Sequence, residues 1–497
     1  MATSTIPFAR GLPGIGSVID MARDTRAFLT DSYLEHGPVF GMRLLNRHYT
    51  VLAGVEANRF LAREGTRHFR SFEFWSGFNA WFGAARSTLS ADGAEHAAFR
   101  RALKRGYSRE YAVERMDGMI DIARQEIAAW PLTRPMPAAP ALQRIVTDQV
   151  GTLVGGVSPR AYNDDLVRYV HAVLSATLVP SPHLRWSPRF RRASARVDRL
   201  YREVIECHSG SMRERHGAEP DLIDDLLDLH EADPRFFPEA DLKLAALGPF
   251  VAALDTVAGT CAFMLYALLR HPDVLERVRE EADDLLTGSA PAAERLRQMD
   301  TLHRAALETM RMYPVTPLLI RTAANSFEFA GHRIPAGERM MIATAVPHYL
   351  PEYFPEPERF DIDRYGPERA EHKKPYVYAP FGLGSHRCLG NGFAEVQIAA
   401  TMATILHEVD LDLDRAGYNL KTTQFPMPAP DESFKVRVRG RRGAVQPLAE
   451  RKPWSAAGGA RGVLAGGALW GALGAEAARE AFRSFTPAHL GRRTFIR

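Results

Sequence analysis

The chain has 497 residues, of which 46% are hydrophobic and 25% are charged, and this composition excludes a disordered chain, a collagen and a coiled-coil rod. The net charge of +4 is concentrated at the C-terminus, because residues 450–497 hold eight Lys/Arg and three Asp/Glu. The near-neutral body lacks the broad basic surface of a nucleic-acid-binding protein, and we expect no nucleic-acid partner.

The N-terminal segment shows no targeting signal, because Pro7 and Pro13 interrupt it and it has no apolar core of a signal peptide. No run reaches the roughly 18 apolar residues of a membrane span, which predicts a chain without a transmembrane anchor. Three cysteines, Cys207, Cys261 and Cys388, are too few and too widely spaced for a disulfide scaffold or a zinc cluster. A reducing compartment is therefore expected.

Helical patterning dominates residues 20–310, and two features lie in its first part. The segment Phe69–Phe82 is rich in aromatic residues, which usually indicates core packing. His96 and Arg100 are four residues apart and share one face of a predicted helix. Two donors on one face suit a carboxylate ligand, although a solvated helix face is the simpler interpretation of these two residues alone.

A long helix rich in Ala and Leu is predicted over residues 241–270. It holds Asp255 and Thr256 among apolar residues, where a polar pair is unfavourable unless it is hydrogen-bonded or in contact with water. Threonine can instead bond the carbonyl four residues before it, which is a purely structural alternative. Further on, Glu308 and Arg311 have the i, i+3 spacing of a surface ion pair worth a few tenths of a kcal/mol.

Strand-like runs are short and fall at Val39–Val51, at Phe327–Ala345 with a Pro-Ala-Gly turn, and at Phe434–Arg439. Residues 350–380 are dense in Pro, Tyr and charge and predict a long irregular meander. Periodicity ends near residue 440. The sequence thus predicts one large domain over residues 1–440, mainly α with a minor β part, and a flexible basic Gly/Ala-rich tail over residues 441–497.

The segment Phe381–Gly390, FGLGSHRCLG, places Cys388 among three glycines and directly before a predicted helix. Glycines let the backbone fold tightly around the sulfur. A helix N-terminus favours the thiolate form of a cysteine. The residues alone leave three interpretations open: a metal-bound thiolate, a reactive nucleophile or a buried inert cysteine.

This segment resembles the haem-binding loop of the cytochrome P-450 superfamily, whose pattern Phe-Gly-x-Gly-x-x-x-Cys-x-Gly it matches at all five fixed positions. The resemblance extends over roughly residues 10–440. It implies a cytochrome P-450 fold, a single large domain with its long central helix over the haem. It also implies haem b (iron protoporphyrin IX) with Cys388 as the axial thiolate ligand of the iron.

The other site residues follow from the same resemblance. Asp255 and Thr256 become a proton-delivery pair, although Ala253 stands where the family most often has glycine. Further cofactor-binding residues are implied at His96, Arg100, Arg321 and His386 toward the haem propionates, at Phe381 and Gly382 in the loop, and at Ala252 on the long helix.

Structural and pocket residues are implied as well. Glu308, Arg311 and the arginine of the Pro-Glu-Arg-Phe motif, Arg359, form an ion triad that serves folding and haem incorporation. Substrate-pocket positions are expected at Phe74, Phe78, Trp81, Val315 and Leu318, with Phe425–Met427 as a further pocket segment.

The resemblance implies a monooxygenase that inserts one oxygen atom of O2 into a small lipophilic substrate. Electrons come from a separate ferredoxin or flavodoxin with an NAD(P)H reductase, and Arg101, Lys104 and Arg105 are docking candidates. We expect a cytoplasmic, soluble protein, with the apolar tail segment 462–475 as a candidate for peripheral membrane association. Two alternatives remain: a peroxide-using or isomerising haem-thiolate enzyme, and a non-catalytic haem sensor.

Overall fold

A helix of 32 residues, Glu239–Arg270, runs through the centre of the fold. The computed structural model describes residues 5–179, 181–209, 220–288 and 290–442. The central helix is rich in Ala and Leu, which have high helix propensity. Acidic residues in its first turn and Arg270 in its last turn complement the helix dipole. It ends at Arg270 because Pro272 disfavours helical conformation at the residue before it.

The other helices surround this one and are numbered with it in chain order. They are α1 (Val18–His36), α2 (Val55–His68), α3 (Phe72–Trp81), α4 (Gly93–Leu103), α5 (Arg109–Glu114), α6 (Met116–Ala128), α7 (Ala138–Val154), α8 (Asn163–Leu178), α9 (Pro188–Cys207), α10 (Leu222–Ala232), the central α11, α12 (Pro272–Thr287), α13 (Ala292–Gln298), α14 (Asp300–Met312) and α15 (Asn391–Glu408). Helices α7, α14 and α15 pack against α11. By length and apolar composition α11 could cross a membrane, but 72% of its most apolar window is buried, as in a core helix.

The strands are short and form small sheets. They are β1 (Val39–Leu44), β2 (Arg47–Ala53), β3 (Phe69–Arg70), β4 (Met136–Pro137), β5 (Leu319–Ala323), β6 (Phe327–Phe329), β7 (His332–Ile334), β8 (Arg339–Ala343), β9 (Val409–Leu413), β10 (Thr422–Thr423), β11 (Ala429–Pro430) and β12 (Lys435–Arg441). The largest sheet has the order β1-β2-β8-β5-β3 and is antiparallel except between β2 and β8. A second sheet joins β4, β12 and β9.

These elements confirm a mainly α fold with a minor β part. The first predicted strand run is an antiparallel hairpin, in which Leu44 pairs with Arg47 across the turn. The long helix and the helix after the cysteine begin within three residues of their predicted positions. Residues 350–380 form a meander whose regular structure is limited to short 3-10 turns.

The folded part extends slightly beyond the predicted boundary at residue 440. Strand β12 runs to Arg441, whose guanidinium donates to the carbonyls of Ile127 and Ala128. Arg442 forms an ion pair with Asp283. The first two residues assigned to the tail are therefore held by side-chain contacts to the body, and the rest of the predicted tail lies outside the described residues.

Candidate active site

The cysteine loop connects the meander to α15 and is shaped by its glycines. Gly382 and Gly384 have φ angles of +68° and +72°, a region that favours glycine. A Cβ atom on Gly384 would lie 2.9 Å from the carbonyl oxygen of Leu61. The backbone N–H of Cys388 donates to the carbonyl of Phe381 at 2.8 Å and closes the loop. The loop therefore holds Cys388 three residues before α15.

The surroundings of Cys388 favour the neutral thiol, although a position near a helix N-terminus was expected to favour the thiolate. Burial raises the pKa of the Cys388 thiol, whereas the backbone N–H of Gly390 and the charges of Arg100 and Arg387 oppose this shift without reversing it. Desolvation thus outweighs the nearby donors and cations. A bound metal ion would supply the missing stabilisation, since a coordinating thiol is deprotonated by its metal.

Cys388 faces a large internal cavity. The cavity has a volume of about 1180 Å³, which exceeds the roughly 300–1,000 Å³ of typical small-molecule sites. Ala252, Ala253 and Thr256 of the central helix line the same cavity, and so do Phe381 and Gly382 of the loop. The small side chains of Ala252 and Ala253 leave room beside the helix.

Two arginines that have no acidic ion-pair partner among the described residues line part of this cavity. Arg321 on β5 is 6% exposed, and among the described residues no acid lies within ion-pair distance of it. Its guanidinium donates to the backbone carbonyl of Ile320. Burial lowers the pKa of Arg321 to about 10, and the carboxylate of Asp92 opposes this only in part. Arg100 donates to the carbonyl of Arg387 at 2.7 Å, and burial lowers its pKa too.

Two histidines complete this group of donors. The rings of His96 and His386 stack with centroids 3.9 Å apart, and both line the cavity. The Nε2 atom of His386 lies 3.2 Å from Oδ1 of Asp92. Burial, with the neighbouring His386 and Arg100, lowers the pKa of His96 to about 3. His96 is therefore neutral at pH 7 and can offer a hydrogen bond but no charge.

The acid and the alcohol of the central helix point in different directions. Thr256 lines the cavity and donates its hydroxyl to the carbonyl of Ala252, the structural alternative described above. Asp255 is not among the cavity-lining residues. Its Oδ1 accepts from Nε2 of Gln143 at 3.0 Å and lies 2.9 Å from Nε2 of His171. Its Oδ2 is buried and has no hydrogen-bond partner among the described residues.

The expected pocket residues divide in two. Phe74, Phe78, Val315 and Leu318 line the cavity, as does the segment Phe425–Met427. Trp81 is not among the residues that line it, so a pocket role for Trp81 stays a prediction. It lies at the last position of α3, where its ring packs edge-on against Phe190 and beneath the guanidinium of Arg185.

The ion triad has a different third member from the expected one. Glu308 accepts two hydrogen bonds from Arg311, at 2.7 and 2.9 Å, and one from Nε of Arg364 at 3.2 Å. Arg359 is 66% exposed at its side chain and pairs with Glu356. It contributes a backbone carbonyl that accepts from Arg311 and Arg364. The expectation for Arg359 was therefore wrong, and Arg364 occupies the buried position.

Arg364 is enclosed by acceptors. It has an exposed fraction of 0% and also donates to Glu371 at 3.1 Å and to the carbonyl of Glu356 at 2.7 Å. The hydroxyl of Tyr365 adds a further donor to Glu308 at 2.8 Å. The sequence did carry a signal for this site, because Arg364 lies between Ile362 and Tyr365, two apolar residues of one short turn.

Sequence reasoning missed two further groups of residues. His171 on α8 and Gln143 on α7 hold Asp255, and no pattern in the chain relates these three positions. The cavity is also lined by Met21, Leu44 and Arg47 from the N-terminal part, which only the folded sheet brings near the central helix.

The residues of the cavity fit the haem that the sequence resemblance implies. A buried guanidinium without an acidic partner is unfavourable unless an anion approaches it, and Arg321 lies at the cavity that Cys388 faces. Haem has two propionates, and it offers iron to a thiolate. The cavity therefore offers a sulfur atom for the haem iron and nitrogen donors for the two propionates.

Comparisons with known proteins agree with this geometry. The family described as Cytochrome P450 matches residues 6–436 of the chain. Sterol 14alpha-demethylase of Mycolicibacterium vanbaalenii is 27% identical over 396 residues, which cover 76% of this chain and 85% of that protein. Cyclooctat-9-en-7-ol 5-monooxygenase of Streptomyces melanosporofaciens is 33% identical over 229 residues, about half of each chain (46% and 48%).

Solved structures share the fold. The structure titled retinoic acid bound cyanobacterial CYP120A1 superposes with a TM-score of 0.75 and 23% sequence identity. The match covers 88% of this chain and 100% of that chain. The expected fold, with a long central helix in a mainly α domain, is thus confirmed.

Proposed function

The chain belongs to the cytochrome P450 family, and we propose that it is a monooxygenase that inserts one oxygen atom of O2 into a lipophilic substrate. The family implies haem with a cysteine thiolate ligand, O2, a substrate and redox partners. The observation that carries the proposal is that Cys388 and Thr256, which lie far apart in the sequence, line one and the same cavity.

Cys388 would hold the iron, and Arg100, Arg321, His96 and His386 would hold the propionates. When bound, the haem supplies dioxygen chemistry, and a thiolate ligand favours cleavage of the O–O bond. The group is haem b in this proposal, because three cysteines without a C-x-x-C-H motif allow no covalent attachment of the c type. Arg321 contributes a permanent positive charge, whereas His96 contributes a neutral donor.

Thr256 and Asp255 would handle protons. Thr256 holds its hydroxyl at the cavity, where it can donate to or accept from a small ligand after leaving the carbonyl of Ala252. Asp255 reaches outward to His171, whose side chain is 38% exposed. In this proposal His171 and Asp255 connect the outer side of the central helix to solvent, and Thr256 offers its hydroxyl within the cavity.

The substrate is lipophilic in this proposal, because apolar side chains such as Phe74, Phe78, Val315 and Leu318 line the cavity. Among the relatives, the names and titles mention a sterol, cyclooctat-9-en-7-ol and retinoic acid. All three are largely hydrocarbon, and we infer a substrate of this physical class. Hydroxylation or epoxidation of such a compound is the proposed reaction.

Electrons come from a separate carrier, a ferredoxin or a flavodoxin with an NAD(P)H reductase. An iron–sulfur cluster of the usual kind needs four cysteines, and the chain has three, one of them the haem ligand. Arg101 and Lys104 are exposed and suit an acidic carrier. Arg105 suits it less, because its guanidinium is bound to Asp225 at 2.7 Å. We place the protein in the cytoplasm, where such carriers are found.

A reconstituted assay separates this proposal from its alternatives. With NADPH, reductase and ferredoxin, the proposal predicts product formation that depends on reductant and O2. Product from peroxide alone, with none from the electron-transfer system, would show a peroxide-using enzyme. No turnover under either condition, together with tight ligand binding, would show a sensor.

The proton role is tested by variants of Thr256 in the same assay. Thr256→Ala removes the hydroxyl, and a larger share of the consumed NADPH should then appear as hydrogen peroxide. Thr256→Ser keeps a hydroxyl and is the matched control, for which we expect near-normal coupling. Full coupling in Thr256→Ala would remove this role.

A further inference from the structure

The chain has a strongly basic stretch that the proposed chemistry does not use. Residues 166–197 contain six arginines and no aspartate or glutamate, whereas the chain as a whole is close to neutral. The stretch covers most of α8, the loop after it and the first half of α9. A local excess of this size is a candidate interaction surface.

Helix α9 turns this charge outward. Its buried positions Phe190, Ala193 and Val197 follow one face. Three arginines are exposed at its start, Arg189, Arg191 and Arg192, and none of them forms an ion pair with any described residue. Farther along α9, Arg196 pairs with Asp165 and Arg199 with Glu203, so the unpaired charge is concentrated in the first turns.

A large aromatic side chain lies beside these arginines. Trp186 is 78% exposed, more than any other large hydrophobic residue in the described parts of the chain. It precedes α9 by two residues, and the guanidinium of its neighbour Arg185 lies over the ring of Trp81, 4.7 Å from the centroid. An exposed tryptophan next to several arginines is typical of surfaces that bind lipid headgroups.

Three apolar residues that line the cavity are exposed, and one of them lies within the basic stretch. Val179, six residues before Arg185, both lines the cavity and is exposed. Leu45 of the β1–β2 turn and Phe425 are likewise exposed and line the cavity. Each of the three residues lines the cavity and is exposed, so each marks a place where the cavity meets the surface, and together they are called the apolar rim. Exposed apolar residues at the edge of an apolar cavity favour contact with an apolar phase from which a ligand could enter.

We propose that the basic start of α9, together with Trp186 and the apolar rim (Leu45, Val179 and Phe425), docks the protein reversibly on an anionic phospholipid surface. Phosphate headgroups match the unpaired arginines, and the acyl region matches the rim. Lipid is favoured over an acidic protein because the charge is combined with exposed apolar side chains: Trp186 lies three residues before Arg189, and the cavity-lining Val179 lies ten residues before it. Docking stands independently of the proposed function, whereas delivery of a lipophilic substrate to the cavity rests on it.

Vesicle partitioning of the full-length holoprotein tests this proposal. Wild type should bind vesicles that contain phosphatidylglycerol and should bind phosphatidylcholine vesicles weakly. The triple variant Arg189→Gln, Arg191→Gln, Arg192→Gln should bind the anionic vesicles about 100-fold more weakly, since each arginine near such a surface contributes about fivefold. Added salt should weaken wild-type binding.

The basic C-terminal residues supply the matched control. The variant Arg451→Gln, Lys452→Gln, Arg461→Gln removes the same charge from a different part of the chain, and it should retain most of the binding. The proposal is overturned if wild type ignores anionic vesicles, or if this control loses as much binding as the α9 variant.

Trp186 gives a second, independent readout. Bromine-labelled lipid should quench the tryptophan fluorescence of wild type more than that of Trp186→Phe, because the variant lacks the tryptophan that contacts the lipid. Equal quenching in both proteins would place a different tryptophan at the lipid and contradict the proposal. Neither readout involves haem chemistry. Loss of vesicle binding would therefore contradict the docking proposal without changing the carbon monoxide spectrum of the holoprotein. An abnormal spectrum would contradict the proposed function without changing vesicle binding.

Discussion

Arg364 and Arg321 are both buried arginines, but their surroundings are opposite. Arg364 donates to two carboxylates, Glu308 and Glu371, and to several backbone carbonyls. Arg321 has no carboxylate within ion-pair distance among the described residues and faces the cavity. Burial is the largest single influence on the pKa of Arg321 and of Arg311, the arginine that shares Glu308 with Arg364. It lowers the pKa of Arg321 to about 10. At Arg311 the hydrogen bond and charge of Glu308, together with Tyr365 and Tyr349, outweigh burial and raise the pKa.

The contrast indicates what each cluster is for. Charges that balance one another inside the protein, as at Glu308, need no ligand and hold the meander against α14. A buried cation without its anion destabilises the protein alone and becomes favourable when an anionic ligand arrives. Stability therefore resides in the first cluster and binding in the second, and the following variants test this division.

The largest effect is expected at the balanced cluster. Arg364→Met removes the buried guanidinium that joins Glu308 to Glu371, and we expect the free energy of unfolding to fall by about 3–5 kcal/mol, because one positive charge is lost from between two buried acids. Urea unfolding followed by circular dichroism measures this, and failure to obtain folded protein agrees with it. Arg359→Met, five residues earlier, removes an exposed arginine and should change stability by at most about 0.5 kcal/mol. Similar losses in the two variants would restore Arg359 to the triad.

The unpaired arginine should behave in the opposite way. In Arg321→Leu we expect haem to dissociate about 10–100-fold faster, because a hydrogen bond to a charged group contributes about 1.5–3 kcal/mol. The haem-free protein should be as stable as wild type or more stable, since a lone buried charge is lost.

Transfer of haem to an excess of a scavenging haem protein measures the first quantity, and urea unfolding of the haem-free chain measures the second. Arg333→Leu, at an exposed position of β7, is the control and should match wild type in both. Unchanged haem release in Arg321→Leu would contradict a binding role for this arginine.

A smaller effect is expected from His348 next to the balanced cluster. Burial, together with the charge of Arg311, lowers the pKa of His348 to about 3, below the 6.5 of an unfolded chain. Between these pH values the unfolded chain binds the additional proton, so stability rises with pH and is lost as the pH falls from about 6.5 toward 3.

His348→Gln keeps an acceptor for the backbone N–H of Ala379 but does not titrate. Its stability should fall less steeply with decreasing pH than that of wild type, by up to about 1.4 kcal/mol per pH unit. Urea unfolding at pH 7, 6 and 5 provides the comparison. Equal slopes would show that His348 is already protonated in the folded protein.

The smallest effect concerns Asp255, which is intermediate between the two clusters because, within the described part of the chain, only one of its oxygens has hydrogen-bond partners. His171→Ala should reduce the free energy of unfolding by about 1 kcal/mol or less, since Gln143 still donates to Asp255. A double-mutant cycle with Asp255→Asn should show a coupling of about 0.5–1 kcal/mol. Zero coupling would mean that the two side chains do not interact in solution.

The sequence alone was sufficient for the fold class and for the loop around Cys388. The positive φ angles at positions 382 and 384 require glycine, and a requirement of the local backbone on a single residue can be seen in the sequence. The same holds for the Ala/Leu-rich central helix, whose length and ends follow from propensity and from Pro272.

The placement of three residues, Arg364, Asp255 and Trp81, depends on contacts between distant segments. Arg364 and Arg359 lie five residues apart, and choosing between them requires knowing which side of the meander faces α14. The neighbours of Arg364, Ile362 and Tyr365, are the local indication of that side. For Asp255, the partners Gln143 and His171 come from two other helices, and no local pattern predicts these contacts. Trp81 is at the end of α3, where a small change in helix direction decides between the cavity and Phe190.

The central claim is that Cys388 binds haem iron as a thiolate in this cavity, and a carbon monoxide difference spectrum of the reduced, purified chain tests it most directly. We predict a strongly red-shifted Soret band for wild type and its loss in Cys388→Ser. The assignment is contradicted if wild type shows the shorter-wavelength band of histidine ligation or carries no haem, or if Cys388→Ser keeps the red-shifted band.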